Sequence, residues 1–241
     1  MTLYADTNLP VPAEVEALHE DELLSFARPG TWGTAAQRTA IAAEIRKTRV
    51  DAGVQESVGD ESLCDVDEVP EAARRVARAA ALGGIEIDRE FCEQAQADGL
   101  TDGAYVEVIG LAARLAHLDV FARGIGVPSR QLGEPVEDAR PSMQRPPIAR
   151  NEGFFTDSVP SAPDGGELAK EIYGNAVPAA NILRSLSLVP DEARRLNRVV
   201  NVEYFSDETM MNFAYSSLAD INRPQLELVA AKVSALNQCF Y

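Results

Sequence analysis

The sequence predicts an all-α protein made of two related helical units. Apolar residues recur every three or four positions along most of the chain, and Thr, Asp or Asn residues precede several of these stretches as N-caps. No stretch of any length alternates polar residues with the β-branched residues typical of strands. The 241 residues are enough for one large domain or two small ones.

The chain is acidic and has an ordinary globular composition. Its net charge of -16 and pI of about 4.5 argue against nucleic acid and anionic membrane surfaces as partners, because both would repel it. It has no apolar run near the ~18 residues of a membrane span and no signal-peptide pattern, so we expect a cytoplasmic protein. The distant cysteines Cys64, Cys92 and Cys239 fit a reducing compartment. With only two histidines, we expect no zinc site and no other cofactor.

Five helices are predicted before residue 129, in the ranges 10–28, 34–51, 69–82, 88–99 and 101–124. The last is the longest, and its predicted buried face consists of Val108, Leu111, Ala112, Leu115, Leu118 and Phe121. Because acidic residues flank His19, we predict that it lies on a solvated charged face. We predict that His117 is a core histidine bonded to a carbonyl and that Cys92 is a small core residue; the alternatives are a catalytic histidine and a redox cysteine.

A proline-rich segment interrupts the helical pattern between residues 129 and 165. Seven of the fourteen prolines lie between Pro128 and Pro163, which predicts an extended linker or a surface wrap. We place the domain boundary here. The predicted parts are a first helical domain in residues 1–128, a linker in 129–165, and a second helical domain in 166–241.

The last stretch of the sequence, from Asn222 onward, has the clearest helix start. Asn222 can cap the helix, Pro224 suits the first turn, and Gln225 stands three residues after the cap, as in a capping box. Apolar residues follow on both sides of the helix, so we expect it to be buried nearly all round. Glu227 near its start and Cys239 near its end are the candidate functional residues.

The helix in residues 34–51 matches this last stretch without a gap at an offset of 188 residues (222 − 34). The matched features are the caps Thr34 and Asn222, the glutamines Gln37 and Gln225, and the apolar runs 41–45 and 229–233. We interpret the match as an internal duplication; chance similarity between two alanine-rich helices is the alternative. Thr39 then stands opposite Glu227, and Asp51 opposite Cys239, so the first copy is predicted to be a scaffold.

The spacing of Glu227 and Cys239 resembles that of the alkylhydroperoxidase D-like proteins, the carboxymuconolactone decarboxylase superfamily. That family carries a Glu twelve residues before a Cys-x-x-Cys pair, with a His four residues beyond the second Cys. Phe240 and Tyr241 stand at the two x positions, and the printed sequence ends where the second Cys is expected. The stretches 99–102, 124–128 and 181–190 resemble further parts of the family pattern.

The resemblance implies an alkylhydroperoxidase D-like helical bundle that reduces peroxides. It implies Cys239 as one redox thiol and Glu227 as the carboxylate that relays its proton. A thiolate of this kind attacks the peroxide and becomes a sulfenic acid, which a second thiol resolves. The implied partners are a peroxide substrate and an unknown thiol electron donor, and the implied assembly is a homo-oligomer.

Helix geometry limits how Glu227 and Cys239 can cooperate. Twelve residues of straight helix span about 18 Å, too far for a carboxylate to serve a thiol. We therefore predict that the helix breaks near Asn237, which would cap a new helix starting near Cys239. Without the second Cys and the His, the printed chain is expected not to be a competent peroxidase. A damaged or wrongly predicted gene, a deliberately shortened chain and a selenocysteine codon read as a stop all remain open as explanations.

Three functional interpretations remain open. The first is a thiol or selenol peroxidase, and the second is a non-catalytic helical domain used for oligomerisation or small-molecule binding. A relay Glu227 should be buried without a cationic partner, whereas a structural Glu227 should pair with Lys or Arg or lie in solvent. The third is a lyase of the decarboxylase type, which needs no thiol pair and does not account for the spacing of Glu227 and Cys239.

Overall fold

The computed structural model describes residues 2–66, 68–174, 179–210, 212, 214 and 221–237, and within these ranges it is helical, as predicted. The described part forms no strand; the nearest feature is an isolated antiparallel bridge between Arg150 and Ser158. Within the same ranges no helix combines the length and the apolar character needed to cross a membrane. The elements are α1 (Ala13–Phe26), α2 (Ala35–Asp51), a 3-10 helix (Glu61–Cys64), α3 (Glu71–Ala81), α4 (Arg89–Ala97), α5 (Asp102–Gly124), α6 (Gly166–Tyr173), α7 (Asn181–Arg184), α8 (Pro190–Glu203), α9 (Asp207–Met210) and α10 (Arg223–Leu236).

The helix starts follow from the capping residues that the sequence predicts. Thr34 accepts a hydrogen bond from the backbone N–H of Gln37, whose side chain accepts one from Thr34 in return. Asp88 caps α4 and Thr101 caps α5 in the same manner, each through its side-chain oxygen. These contacts satisfy backbone donors that a helix leaves unpaired at its first turn.

The structure divides into two compact units, Met1–Val199 and Val200–Tyr241, and the division falls within α8. The proline-rich segment 129–165 therefore lies inside the first unit, and the packing divides the chain at a different point from the predicted boundary. Backbone N–H groups of the segment bond to earlier residues: Val136 to the carbonyl of Ala27 at 2.8 Å, and Met143 to that of Thr31 at 2.9 Å. The segment is a surface wrap, the second of its two predicted forms.

Helix α5 lies at the centre of the first unit, where α2 and α3 pack against it and against each other. Its predicted apolar face is confirmed as buried from Val108 to Leu118, and Phe121 is half-buried. The sequence did not predict that Glu107, Arg114 and Asp119 of the same helix would also be buried. The helix is therefore enclosed on its polar side as well as its apolar side.

The predictions for the two histidines have different outcomes, and the one for His19 is wrong. His19 is fully buried instead of solvated, because Tyr4 from the N-terminal segment covers it. A hydrogen bond of 2.6 Å joins the Tyr4 hydroxyl to His19 Nδ1, and the Phe121 ring packs edge-on at 4.9 Å. His117 is half-buried and not a fully enclosed core residue. The prediction for Cys92 is confirmed, since its side chain is 1% exposed and burial raises the pKa of its thiol.

The prediction that the last helix is buried nearly all round is also wrong. Within α10 only Arg223 is buried, while the large apolar residues are exposed: Leu228 by 71%, Val229 by 58%, Val233 by 51% and Leu236 by 68%. Apolar residues on both sides of a helix indicate burial only when other elements cover both sides. The chain as described does not cover these residues.

Candidate functional site

Glu227 lies in the second turn of α10, and the sequence-encoded cap fixes its place. Asn222 accepts a hydrogen bond from Gln225 N at 3.0 Å, and the Gln225 side chain accepts one from Asn222 N at 2.8 Å. The helix ends at Leu236, with Asn237 as its C-cap, which confirms the predicted helix end; the new helix predicted near Cys239 lies outside the described residues. Cys239 lies outside the described residues, and so do Phe240 and Tyr241.

Two side chains donate hydrogen bonds to the Glu227 carboxylate. Arg223 Nε lies 2.5 Å from Oε1, and the Tyr204 hydroxyl lies 3.2 Å from Oε2. Burial raises the pKa of Tyr204, and the hydrogen bond and charge of Glu227 add to that rise, so the phenol is protonated at neutral pH and donates. The Glu227 side chain is 41% exposed, which leaves the carboxylate accessible from solvent.

Arg223 anchors this part of the second unit. Its guanidinium lies 4.1 Å from the centre of the Phe205 ring, and Nη2 donates to the carbonyl of Met210 at 3.1 Å. An arginine held by an aromatic face and a carbonyl presents its remaining N–H groups in a fixed direction. The ion pair with Glu227 is the arrangement expected of a structural carboxylate, and it is not the unpaired environment expected of a buried relay group.

Helix α2, which the 188-residue offset pairs with α10 in the sequence, differs from α10 in two respects. Thr39, opposite Glu227 at the 188-residue offset, is buried and donates to the carbonyl of Ala35 at 2.9 Å. Helix α2 continues to Asp51, past Arg49, which stands opposite Asn237. The helix therefore has neither the carboxylate nor the break, although it begins with the same kind of capping box as α10.

A network of buried charges lies in the first unit, and sequence reasoning missed it. Arg38 donates to Glu107 at 2.6 Å and to Glu192 at 3.1 Å. Arg114 donates to Glu192 at 2.9 Å and also to Glu22. The network consists of three carboxylates and three arginines: Glu22, Glu107, Glu192, Arg38, Arg114 and Arg195. Arg195 is only half-buried and also pairs with Asp21, so the network extends from the buried groups to the surface.

The electrostatics of this network favour the charged forms of Glu192 and Arg38. Burial alone would raise the pKa of Glu192, but Arg114 and Arg38 outweigh burial and hold that pKa below its usual value. Burial alone would lower the pKa of Arg38, but Glu192 and Glu107 outweigh it and raise that pKa. With each carboxylate bonded to at least one arginine, the network is suited to holding helices together and not to exchanging protons.

One signal in the sequence could have indicated this network. Gly103, Glu107, Gly110 and Arg114 recur every three or four residues on α5, so they lie on one face of the helix. A Cβ at Gly103 would lie 2.1 Å from the Trp32 ring, and one at Gly110 would lie 2.8 Å from Glu192 Cβ. Two glycines and two charges on one face of a buried helix indicate close approach by another polar element.

Two concave surfaces accompany the network in the first unit. A groove of about 1190 Å³ is lined by residues of α3 and α5, including Ala80, Ala112, Ala113 and Ala116, and by the segments that follow α2, α3 and α5. A smaller cavity of about 200 Å³ is lined by Trp32, Arg38 and Glu107 together with apolar side chains. Among the described residues, no group of His, Cys, Asp and Glu side chains is arranged to hold a metal ion.

Comparison of the chain with models of protein families, with curated proteins and with solved structures finds no match.

Proposed function

We propose that the second unit carries out the first step of peroxide reduction at Cys239, with Glu227 as the base that accepts the thiol proton, and that turnover needs a resolving thiol from outside the printed chain. The observation that carries the proposal is the extent of α10. The helix begins at the Asn222 capping box and ends at Leu236, so Glu227 lies on the helix, and in the sequence Cys239 stands two residues after the C-cap Asn237. A break at this position is what a carboxylate and a thiol twelve residues apart require in order to approach each other.

The proposed reaction conserves atoms and electrons with peroxide as the oxidant and a dithiol as the reductant. Glu227 takes the proton of the Cys239 thiol, and the thiolate attacks one peroxide oxygen. A sulfur–oxygen bond forms, the oxygen–oxygen bond breaks, and the leaving alkoxide takes the proton and departs as an alcohol. A thiol of the donor then attacks the sulfenic acid and releases water, and the donor's second thiol reduces the mixed disulfide.

Glu227 is not in the unpaired, buried environment of a relay group, so the proposal rests on the extent of α10 and on the family resemblance. Arg223 and Tyr204 both donate hydrogen bonds to the Glu227 carboxylate, so accepting the thiol proton would mean giving up one of these hydrogen bonds. Its 41% exposure allows a substrate to approach. In this proposal the first unit is a scaffold, because Thr39 replaces the carboxylate and bonds to the helix backbone.

The first chemical step tests the proposal, since it needs only one thiol. Purified protein is mixed with cumene hydroperoxide and dimedone, which traps sulfenic acids, and the labelled cysteine is identified by mass spectrometry. We expect the rate of dimedone labelling at Cys239 to exceed that of glutathione under the same conditions. We also expect Glu227→Gln to lower the labelling rate of Cys239 by about 10², because it removes the general base. Cys92→Ala is the matched control and should change nothing, because Cys92 is buried and its raised pKa keeps it a thiol. Labelling of Cys239 at the rate of glutathione, and unchanged by Glu227→Gln, would refute the proposal.

A second candidate function is assembly through α10. Val229, Val233 and Leu236 share one side of the helix and are each more than half exposed. Exposed apolar faces of this kind mark interaction surfaces. Sedimentation velocity should show an oligomer that Val233→Glu dissociates, while Ala231→Glu, on the opposite side of α10, leaves it intact. The experiment is done at 100 μM protein, which is roughly a hundred times the Kd of a micromolar self-association. A wild-type protein that is still monomeric at this concentration would rule this function out.

A further inference from the structure

The groove of about 1190 Å³ in the first unit, called the α5 groove here, has an uncharged floor along one face of α5. Ile109, Ala112, Ala113 and Ala116 recur every three or four residues, so they lie on the same side of the helix. This stretch covers about 10 Å of helix without a charged side chain in the lining. Most of the other lining residues are glycines and apolar residues from the segments after α2, α3 and α5. The groove therefore has room for an elongated apolar body.

Charged side chains gather at one end of the α5 groove, near the C-terminal end of α5. They include Asp119 and Arg123 of α5 and Arg49 of α2. Arg49 Nη1 donates to Asp119 at 3.3 Å, and its Nε donates to the carbonyl of Ala81 at 3.2 Å. Arg123 Nη1 donates to the carbonyl of Val54 at 3.1 Å. The groove is therefore apolar along its floor and carries two arginines at one end.

Arg49 keeps an unused hydrogen-bond donor that remains accessible. The residue is 9% exposed, and its Nη2 has no hydrogen-bond partner among the described residues. Nη2 is also not one of the unpartnered polar atoms that are closed off from solvent, and Arg49 lines the groove. Arg123 is exposed and uses only its Nη1 among the described residues. Free N–H groups of two arginines at one end of a groove indicate a site for an acceptor.

The charge of Arg49 is compensated less fully than that of the neighbouring buried residue Arg46. Burial alone would lower the pKa of Arg46, but Asp119 and Asp60 outweigh burial and raise that pKa. Arg49 pairs with Asp119 alone. Burial lowers the pKa of Arg49, and the charge of Arg46 adds to the fall. Because an arginine stays protonated at neutral pH, a further anion beside Arg49 would compensate its charge.

The negative groups at this end of the groove leave the two arginines available. Asp119 accepts hydrogen bonds from Arg46 at 3.2 and 2.7 Å as well as from Arg49, so its charge is already shared between two arginines. Glu56 also lines the groove, but it is exposed, and water weakens its repulsion of an anion. The net charge of -16 belongs to the whole chain, and salt screens exposed charges beyond about 8 Å.

We propose that the α5 groove binds an amphipathic carboxylate, a molecule of the fatty-acid class with an elongated apolar body and one carboxylate group. The carboxylate accepts hydrogen bonds from Arg49 Nη2 and from the free N–H groups of Arg123. The apolar body lies along the floor that Ile109, Ala113 and Ala116 line. This site is independent of Glu227 and Cys239, so it stands or falls separately from the peroxide chemistry.

The probe is decanoate, titrated into the full chain by isothermal titration calorimetry below its critical micelle concentration. Decanol, which has the same tail and no charge, and decylamine, which has a positive head group, are the comparisons. We expect decanoate to bind saturably, with a single molecule per chain. Decanol should bind at least about tenfold more weakly, because it offers the arginines no negative charge, and decylamine should bind more weakly still.

Charge variants test the two arginines. Arg49→Gln should weaken decanoate binding by about tenfold or more and leave decanol binding unchanged. Arg123→Gln, at an exposed position, should weaken decanoate binding about three- to tenfold, and it keeps the test valid if Arg49→Gln does not fold. The matched control is Arg75→Gln, which removes the same charge from α3 outside the groove and should leave decanoate binding unchanged.

Volume variants on α5 locate the apolar body. Ala116 lines the α5 groove and Ala104 lines the separate cavity, and both are half-buried. Ala116→Leu should weaken the binding of decanoate and of decanol at least about tenfold by filling the floor, whereas Ala104→Leu should change neither. Circular dichroism of each variant confirms that it is folded.

Three results would overturn the proposal. One is the absence of saturable decanoate binding below the critical micelle concentration. Another is equal binding of decanoate and decanol, or tighter binding of decylamine, which would show that the arginines do not select a carboxylate. The third is unchanged decanoate binding by Ala116→Leu, which would place the ligand outside the α5 groove.

Discussion

Replacing Glu192 with Gln tests whether the buried charge network holds the first unit together. Glu192 is 2% exposed and accepts hydrogen bonds from Arg38 and Arg114, which are themselves buried. Glutamine keeps the shape and one acceptor oxygen, but it removes the negative charge and places an NH₂ group against donors. Arg38 then keeps only Glu107 and Arg114 only Glu22, so each buried arginine loses one of its two carboxylate partners.

The expected loss is large relative to the stability of a domain. Breaking a buried ion pair by removing one partner costs about 3–5 kcal/mol, out of a total free energy of unfolding of roughly 5–15 kcal/mol. For a unit of this size that corresponds to a fall in Tm of roughly 6–20 °C. The matched control is Asp51→Asn, which breaks the exposed Lys47–Asp51 pair on α2 and should leave Tm unchanged.

Thermal and urea unfolding are monitored by the fluorescence of Trp32. This fluorescence reports on the first unit, because the backbone N–H of Trp32 donates a hydrogen bond to Glu107. The pH dependence gives a second readout. The folded pKa of Glu192 lies below its usual value of 4.5, so its stabilisation is present above pH 4.5 and is lost as pH falls through the folded pKa. The difference between wild type and Glu192→Gln should therefore shrink in acid. A change in Tm no larger than that of Asp51→Asn, or a difference that grows in acid, would refute the reasoning.

Three further predictions concern local packing. Gly110→Ala should lower the free energy of unfolding in urea by about 1–3 kcal/mol, because the new Cβ would lie 2.8 Å from Glu192 Cβ. Alanine favours helices over glycine, so a stabilised variant would contradict this steric argument. Cys64 should react with iodoacetamide at pH 8 at least tenfold more slowly than glutathione. Burial is the main cause and the negative charge of Glu44 the second, and together they raise the pKa of the Cys64 thiol to about 11. Reaction at the rate of glutathione would show an accessible thiolate and contradict the prediction. Thr34→Ala should lower the free energy of unfolding by about 1 kcal/mol through loss of the α2 capping box, whereas Thr34→Ser should keep most of it.

Local signals in the sequence were sufficient to predict the helices and where they end. The caps at Thr34, Asp88, Thr101 and Asn222 are each made by the residue that the sequence indicates. The break at Asn237 also followed from local reasoning, because the distance along a helix depends only on the number of residues. Cap chemistry and helical rise involve residues within one or two turns, so they can be deduced without the tertiary structure.

The environments of single side chains could not be deduced in this way. His19 looked solvated beside its acidic neighbours, but Tyr4, fifteen residues earlier, covers it. The apolar residues of α10 looked buried, but they are exposed in the described chain. Burial depends on which distant segment lies against a side chain, and the sequence around that side chain does not contain this information.

By itself, the sequence determined the helical class, the cap at each of four helix starts, and the placement of Glu227 on a helix that ends before Cys239. Only the tertiary structure decided that Glu107, Arg114 and Glu192 belong to one buried network of ion pairs with Arg38. The physical reason is the separation along the sequence of the residues that interact. Helix formation is governed by contacts within four residues, whereas ion pairs such as Arg38–Glu192, separated by 154 positions, exist only after α2, α5 and α8 have packed.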